Sequence, residues 1–273
     1  MTAALLALGP FLWVVFTLAA TLSQTYRNAA QRGLTGPLGA GGATYVRFLY
    51  GLPFAALFLA GVCAALGRLA PVPDAIAFGW TFTGGMSQIL ATALMLSAMR
   101  ERSFVTTIAY TKTEPVQVAL FGLVFLGDAL TWPMAAAIVI ATSGVMTMSW
   151  PTGSQRAAGG GWRPALLGMA SGAFFALSAV GFRGAIVRLD DESFVLRATT
   201  VLALALLLQT ATILVWLVAM DRRKLAAILA LWRPSMKAGF AGALASQFWF
   251  LSFALTSAAA VRTLALVEVI WAQ

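Results

Sequence analysis

Apolar runs of about twenty residues follow one another along nearly the whole chain, separated by short polar interruptions. They fall at roughly 9–31, 44–66, 75–99, 103–127, 131–150, 164–187, 193–219 and 235–257, and a ninth starts near 258. A helix of about 20 residues rises ~30 Å, the thickness of a hydrocarbon core, so each run predicts a membrane-spanning helix. The strict alternation of a membrane β-barrel is missing, and an open sheet edge finds no hydrogen-bond partner in lipid. The expected fold class is all-α, a polytopic bundle of helices in one membrane.

The polar residues that break these runs recur. Tyr26-Arg27-Asn28-Ala29-Ala30-Gln31-Arg32 is answered by Phe182-Arg183-Gly184-Ala185-Ile186-Val187-Arg188, both arginines returning 156 positions later. Ser87-Gln88 is answered by Ser246-Gln247, 159 positions on, and Glu114 by Glu268, 154 positions on. Such residues are costly in a membrane, so their recurrence carries more weight than that of leucines. The Gly-rich polar stretch 151–163 reads as a linker between a first repeat, 1–150, and a second, 164–273. Five spans precede it. An odd number makes the second copy enter the membrane from the opposite side, an inverted repeat of the kind that builds secondary transporters. Matching Glu268 to Glu114 sets Gln273 opposite Ala119, where the first copy continues through Phe121–Asp128 and a fifth span. Two five-helix repeats and ten spans are therefore expected, with the end of the ninth and the tenth missing from this chain, in roughly 30 further residues.

Composition strengthens the membrane reading. The chain is 60% hydrophobic and 10% charged with a mean hydropathy of +0.87, against about 25% charged for a soluble domain. A net charge of +9 on a soluble protein would suggest nucleic acid as a partner. Here Arg27, Arg32, Arg47, Arg100, Arg102, Arg156, Arg163, Arg222, Arg223, Lys224, Arg233 and Lys237 cluster at alternate connections. Positive residues between spans set orientation, placing those connections in the cytoplasm and the N-terminus outside. The expected surroundings are a lipid bilayer and a small-molecule solute, with no nucleic acid and a monomer as the simplest assembly.

The residues that are absent narrow the chemistry. A lone Cys63 and no histidine exclude a disulfide, a His-ligated haem, a zinc protease site and a Ser–His–Asp triad. No Gly-rich phosphate loop with a following Lys occurs, and no basic segment precedes the first span, which reads as a retained helix. No cofactor and no metal is expected.

Several segments resemble the EamA-type branch of the drug/metabolite transporter superfamily. They are Arg27-Asn28-Ala29-Ala30-Gln31-Arg32, Val46-Arg47-Phe48-Leu49-Tyr50-Gly51-Leu52-Pro53-Phe54, Lys112-Thr113-Glu114-Pro115-Val116-Gln117, and Phe125-Leu126-Gly127-Asp128-Ala129-Leu130-Thr131. Asp128 stands where the family more often has Glu. The resemblance implies ten spans in two five-span repeats, a multi-pass place in the bacterial inner membrane, and movement of a small polar metabolite, amino-acid export being the best guess. Many family members keep the N-terminus in the cytoplasm, opposite to the charge count here.

The candidate site residues follow from cost. Lys112 and Glu114 lie mid-span, where an ionised group costs at least ~2.5 kcal/mol, so each must face water or a partner. Tyr110 and Glu114, four apart, share a helix face. Pro115 removes a backbone donor and loosens the turn before it. A broken helix with an acid beside it builds an ion or substrate site, while an inter-helix salt bridge with a packing kink is the plain alternative. Glu268 and Arg262 form the corresponding pair in the ninth run, off one another's face, so each needs another helix. Gln88 and Gln247 either bind substrate or join helices. Trp249, with Phe250, forms an apolar wall or faces lipid. Arg27, Arg47, Arg183 and Arg197 anchor at headgroups or pair with acids as gates, and Arg262 snorkels or pairs. Glu114 and Glu268 are the proton-coupling candidates, because burial raises a carboxyl pKa. Gly84-Gly85 and Gly168-x-x-x-Gly172 mark close helix approach.

The expected activity is alternating-access transport through a cavity lined by spans 1, 3, 4, 6, 8 and 9, with no enzymatic chemistry. A passive channel remains open as an alternative, and a lipid-modifying membrane enzyme as a weaker one, since Asp190-Asp191-Glu192 is the sole acidic cluster.

Overall fold

The structure, a computed structural model, describes residues 9–101, 111, 113–148 and 162–268. Tyr110, Lys112, residues 151–161 of the expected linker and the end of the ninth run lie outside the described residues. Among those described there is no strand. After a 3-10 turn at Gly9–Phe11 come α1 (Leu12–Arg32), α2 (Thr35–Leu49), α3 (Leu52–Leu66) and α4 (Ala75–Glu101). Next are α5 (Glu114–Phe121), continued by a wider π turn at Gly122–Leu126, and α6 (Trp132–Met148). The remainder is α7 (Trp162–Arg188), α8 (Phe194–Met220), α9 (Arg222–Ala230), α10 (Trp232–Leu255) and α11 (Ala258–Leu264), closed by a 3-10 turn at Ala265–Val267.

The all-helical bundle is as expected. Among the described residues four helical stretches are long and apolar enough to cross a membrane: Gly41–Leu66, Leu166–Arg188, Phe194–Met220 and Trp232–Leu255. Three shorter apolar helices accompany them, Glu114–Leu126, Trp132–Gly144 and Ala258–Val267. The second run begins earlier than expected, because α2 starts at Thr35 and bends at Gly39, whose φ of 68° only glycine adopts cheaply. The helix α9 was not expected at all. Its Arg222-Arg223-Lys224 start reads as a loop in sequence, yet Asp221 caps it by accepting from the Lys224 amide at 3.0 Å, and Ile228 buries its other face.

Packing pairs the first half of the chain with the second. Helix α1 lies against α10, α4 against α7, α3 against α8, and α5 against α11. Small residues bring these backbones together. A Cβ added at Gly181 would sit 2.9 Å from the Cα of Gly84, so α4 and α7 touch backbone to backbone. One at Gly239 would lie 2.6 Å from the carbonyl carbon of Tyr50, where α2 gives way to α3. Buried hydroxyls add cross-helix bonds: Ser171 Oγ donates to the Ala91 carbonyl at 2.8 Å, and Thr17 Oγ1 to Ser252 Oγ at 3.2 Å. Such bonds average about 0.6 kcal/mol in lipid, so close packing rather than any single bond holds the bundle.

One end of the bundle is tied by charge. Arg68 donates to Asp191 at 2.9 Å, and Arg188 to Asp74 at 3.0 Å, joining the α3–α4 connection to the end of α7 and the start of α8. The opposite end carries the basic helix α9.

Candidate functional site

Helix α5 starts abruptly. Thr113 lies in a turn, Glu114 opens the helix and Pro115 follows in its first turn, where a missing N–H costs nothing. A carboxylate there is favoured by the positive end of the helix. Helix α7 passes close to this start at Gly172, where a Cβ would lie 3.3 Å from the Thr111 carbonyl oxygen. Glu114 Oε1 meets Arg262 Nε of α11 at 3.0 Å, with side chains 18% and 16% exposed. The distance is that of an ion pair, while the two atoms are not oriented as a hydrogen bond. Arg262, which the sequence left needing a second helix, meets one here.

A path runs from this pair to the second acid. The Arg262 guanidinium lies 5.0 Å from the Trp249 ring centre and 5.9 Å from that of Phe253, within reach of cation–π attraction. Trp249 Nε1 donates to Gln24 Oε1 at 3.2 Å, and Gln24 Nε2 donates to Glu268 Oε2 at 2.7 Å. Glu114 and Glu268 are thus the two ends of one chain of contacts through Arg262, Trp249 and Gln24, built from α5, α11, α10 and α1. The lipid-facing alternative for Trp249 and Phe250 is corrected: they are 6% and 4% exposed, and Phe250 packs on Phe182 at 4.7 Å between ring centres.

The arginines divide into two kinds. Arg183 is bonded on every side: Nε to Asp128 Oδ2 and Nη2 to Asp128 Oδ1, both at 3.0 Å, and Nη1 to the carbonyls of Phe253 and Thr256. It closes the C-terminal end of α10 and holds the turn after the π segment, so its headgroup-anchor reading is corrected to a pairing role. Arg27, expected either at headgroups or paired with an acid, is buried at 8% exposure, and its Nε and Nη2 donate to Asn28 Oδ1 at 3.3 and 2.9 Å. Arg47 has its guanidinium 4.3 Å from the Phe48 ring centre. Both flank Gly242 of α10, where a Cβ would lie 3.3 Å from Arg47 Cβ and 3.4 Å from Arg27 Cδ. Arg27 stands within electrostatic range of Glu268 and Arg262, and Arg47 within range of Arg27 and Arg262. Arg197, on α8, keeps its buried Nε without a hydrogen-bond partner.

Both matched glutamines are tied to α8. Gln209, 1% exposed, donates to Gln88 Oε1 at 2.8 Å and to the Gly85 carbonyl at 3.2 Å, while Gln247 donates to Thr199 Oγ1 at 2.8 Å. Helix joining accounts for Gln88, and Gln247 keeps a buried Oε1 with no partner. Sequence reasoning missed Gln24, Gln209 and the partner role of Asp128. The signal for Gln24 was present, an amide three residues before Arg27 in an apolar run.

Four ion pairs among the described residues link separate elements: Arg68–Asp191, Arg188–Asp74, Arg183–Asp128 and Arg262–Glu114. Each joins a residue before 150 to one after 160. No protein-family model matches the chain, and no curated protein matches it significantly.

Proposed function

We propose that this chain is a secondary transporter of the EamA type, two inverted five-helix repeats that move a small polar metabolite across the bacterial inner membrane by alternating access. The helix pairing supports the repeat. Exchanging α1 with α7, α2 and α3 with α8, α4 with α10, and α5 with α11 turns the α1–α10 contact into the α7–α4 contact. The same exchange leaves the α3–α8 and α5–α11 contacts in place. A two-fold relation in the membrane plane has this property, and it lets the two copies rock about a shared site.

The observation that carries the functional reading is the Glu114–Arg262 pair. It lies at the start of α5, little exposed, and spans the two halves. Rocking one half against the other must lengthen or break it, so a solute or proton that competes for either partner is coupled to the motion. An acid can hold an ammonium group and an arginine a carboxylate, which fits an amino acid or a related zwitterion. Uptake of labelled amino acids into proteoliposomes under an imposed proton gradient tests this. Accumulation above equilibrium, lost in Glu114→Gln, is expected. Equilibration without accumulation would make the protein a passive facilitator, and a chemically altered solute would make it an enzyme.

A further inference from the structure

We infer that Arg27 and Arg47 form a binding site for an oxyanion, a carboxylate or phosphate group, between α1, α2 and α10. The two side chains converge from different helices on one glycine, Gly242, where even a methyl group would crowd Arg47 Cβ at 3.3 Å and Arg27 Cδ at 3.4 Å. Neither has a carboxylate within ion-pair distance among the described residues. Arg27 spends two of its nitrogens on the side-chain oxygen of its own neighbour, Asn28, and Arg47 faces only the Phe48 ring.

Arg183 shows what a satisfied arginine looks like in this bundle. It stands 156 positions after Arg27 in the corresponding segment, and it holds a carboxylate with two nitrogens and two carbonyls with a third. Arg27 and Arg47 have the same fork of donors and no such partner. Charge points the same way. Arg262 is a third cation in electrostatic range of both, Glu268 is the acid in range of Arg27, and Glu114 is engaged by Arg262. Among the described residues, Arg27, Arg47 and Arg262 against Glu114 and Glu268 leave this cluster one more positive charge than negative. Two guanidinium groups within electrostatic range of each other, Arg27 buried and Arg47 half-buried, favour an anion that accepts from both forks.

An approach from the basic end of the bundle is built in. The Lys224 stem of α9 lies beside Gly42 of α2, 3.7 Å from where a Cβ would stand, five residues before Arg47. Exposed Arg222 and Arg223 precede it, so an anion meets rising positive potential on the way to the site. The ligand is either a dissolved organic acid or phosphate, or the phosphate of an anionic lipid. This inference does not depend on transport, because it concerns binding at equilibrium.

The test uses the purified full chain in nanodiscs of phosphatidylcholine alone or with phosphatidylglycerol, with thermal unfolding read against succinate or inorganic phosphate at constant ionic strength. A dissolved anion as ligand gives a saturable rise of the midpoint in phosphatidylcholine. Its half-maximal concentration is expected to increase at least tenfold in Arg47→Gln and Arg27→Gln. A lipid ligand instead gives a rise with phosphatidylglycerol that is lost in the same variants. Should the glutamine variants fail to fold, Gly242→Ala crowds both stems and is expected to weaken the same response severalfold. The inference is overturned if neither soluble anion nor phosphatidylglycerol stabilises the wild type. It is equally overturned if the response persists unchanged in the folded variants.

Discussion

Arg183 grips Asp128 with two parallel bonds of 3.0 Å, from Nε to Oδ2 and from Nη2 to Oδ1, across 55 residues of sequence and between the two halves of the chain. The side chains are 15% and 18% exposed, so the pair is largely removed from solvent. The same guanidinium closes the end of α10 through the carbonyls of Phe253 and Thr256. Removing one partner of such a pair leaves a buried charge without compensation and costs about 3–5 kcal/mol. Arg183→Ala is expected to lower the thermal midpoint in detergent markedly. Arg183→Lys should lower it less, since an ammonium keeps the charge but loses the fork. Equal midpoints in wild type and Arg183→Ala would show that the pair is ornamental.

Where α10 crosses the α2–α3 junction there is no room for a side chain. A Cβ at Gly239 would stand 2.5 Å from Tyr50 Cβ and 2.6 Å from the Tyr50 carbonyl oxygen. Gly239→Ala must push backbone apart, an overpacking cost of roughly 1–3 kcal/mol. A lower midpoint and a lower folded yield are expected on fluorescence-detected size exclusion. By contrast, Gly144 meets nothing within 4 Å, and Gly144→Ala should behave as wild type.

The charged end of the bundle should respond to acid in a defined direction. The Ala77 N–H and then the Arg188 guanidinium hold the Asp74 carboxyl below its ordinary value of 3.8. A carboxyl depressed in the folded state adds stability above its unfolded pKa, and that stability is lost as pH falls through the folded value. The Arg188–Asp74 tie is therefore complete from pH 5 to 8 and weakens only below about pH 4. A cysteine cross-link across it, made in Asp74→Cys/Arg188→Cys, removes that step. Loosening of this end between pH 5 and 8 in the wild type, seen by spin-label distances, would count against the assignment.

The contact path between the two acids gives a fourth expectation. Gln24 bonds both Trp249 and Glu268, so Gln24→Leu, of similar volume, removes both bonds and takes away the acceptor of the buried Trp249 indole N–H. A cost of about 1–3 kcal/mol follows from the unsatisfied indole N–H. Trp249 fluorescence cannot be read alone among nine tryptophans, so the difference spectrum between Gln24→Leu and Gln24→Leu/Trp249→Phe isolates it. No spectral change on Gln24→Leu would mean the indole bond is absent in solution.

Helix positions were legible because lipid leaves the backbone one way to satisfy itself, so an apolar run is a helix and its ends are the polar breaks. The described helices begin and end within a few residues of the apolar runs for α1, α4, α6, α7, α8 and α10. Helix α9 was missed because three basic residues at its start look like a loop, and only the Asp221 cap and buried Ile228 make it a helix. Facing was harder to read. A helix apolar all round carries no stripe to say which side meets protein, so Trp249 and Phe250 could not be told from lipid-facing residues. Partners were least legible, because Gln24 meets Glu268 across 244 positions and Gln209 meets Gln88 across 121. The acids themselves, Glu114 and Glu268, stood out by cost alone, and the structure joins them through Arg262, Trp249 and a residue that costs far less, Gln24.

Reciprocal opening of the two ends tests alternating access most directly and needs no substrate. Spin labels at Val72 and Glu192, both exposed, read the charged end, and labels at Gly36 and Leu229, also exposed, read the basic end, in a Cys63→Ala background. Pulsed electron resonance in nanodiscs should give two distance populations at each end. Glu114→Gln, by releasing the Arg262 tie, should shift the two ends in opposite directions. A single unchanged distance at both ends in wild type and Glu114→Gln would contradict alternating access in this protein.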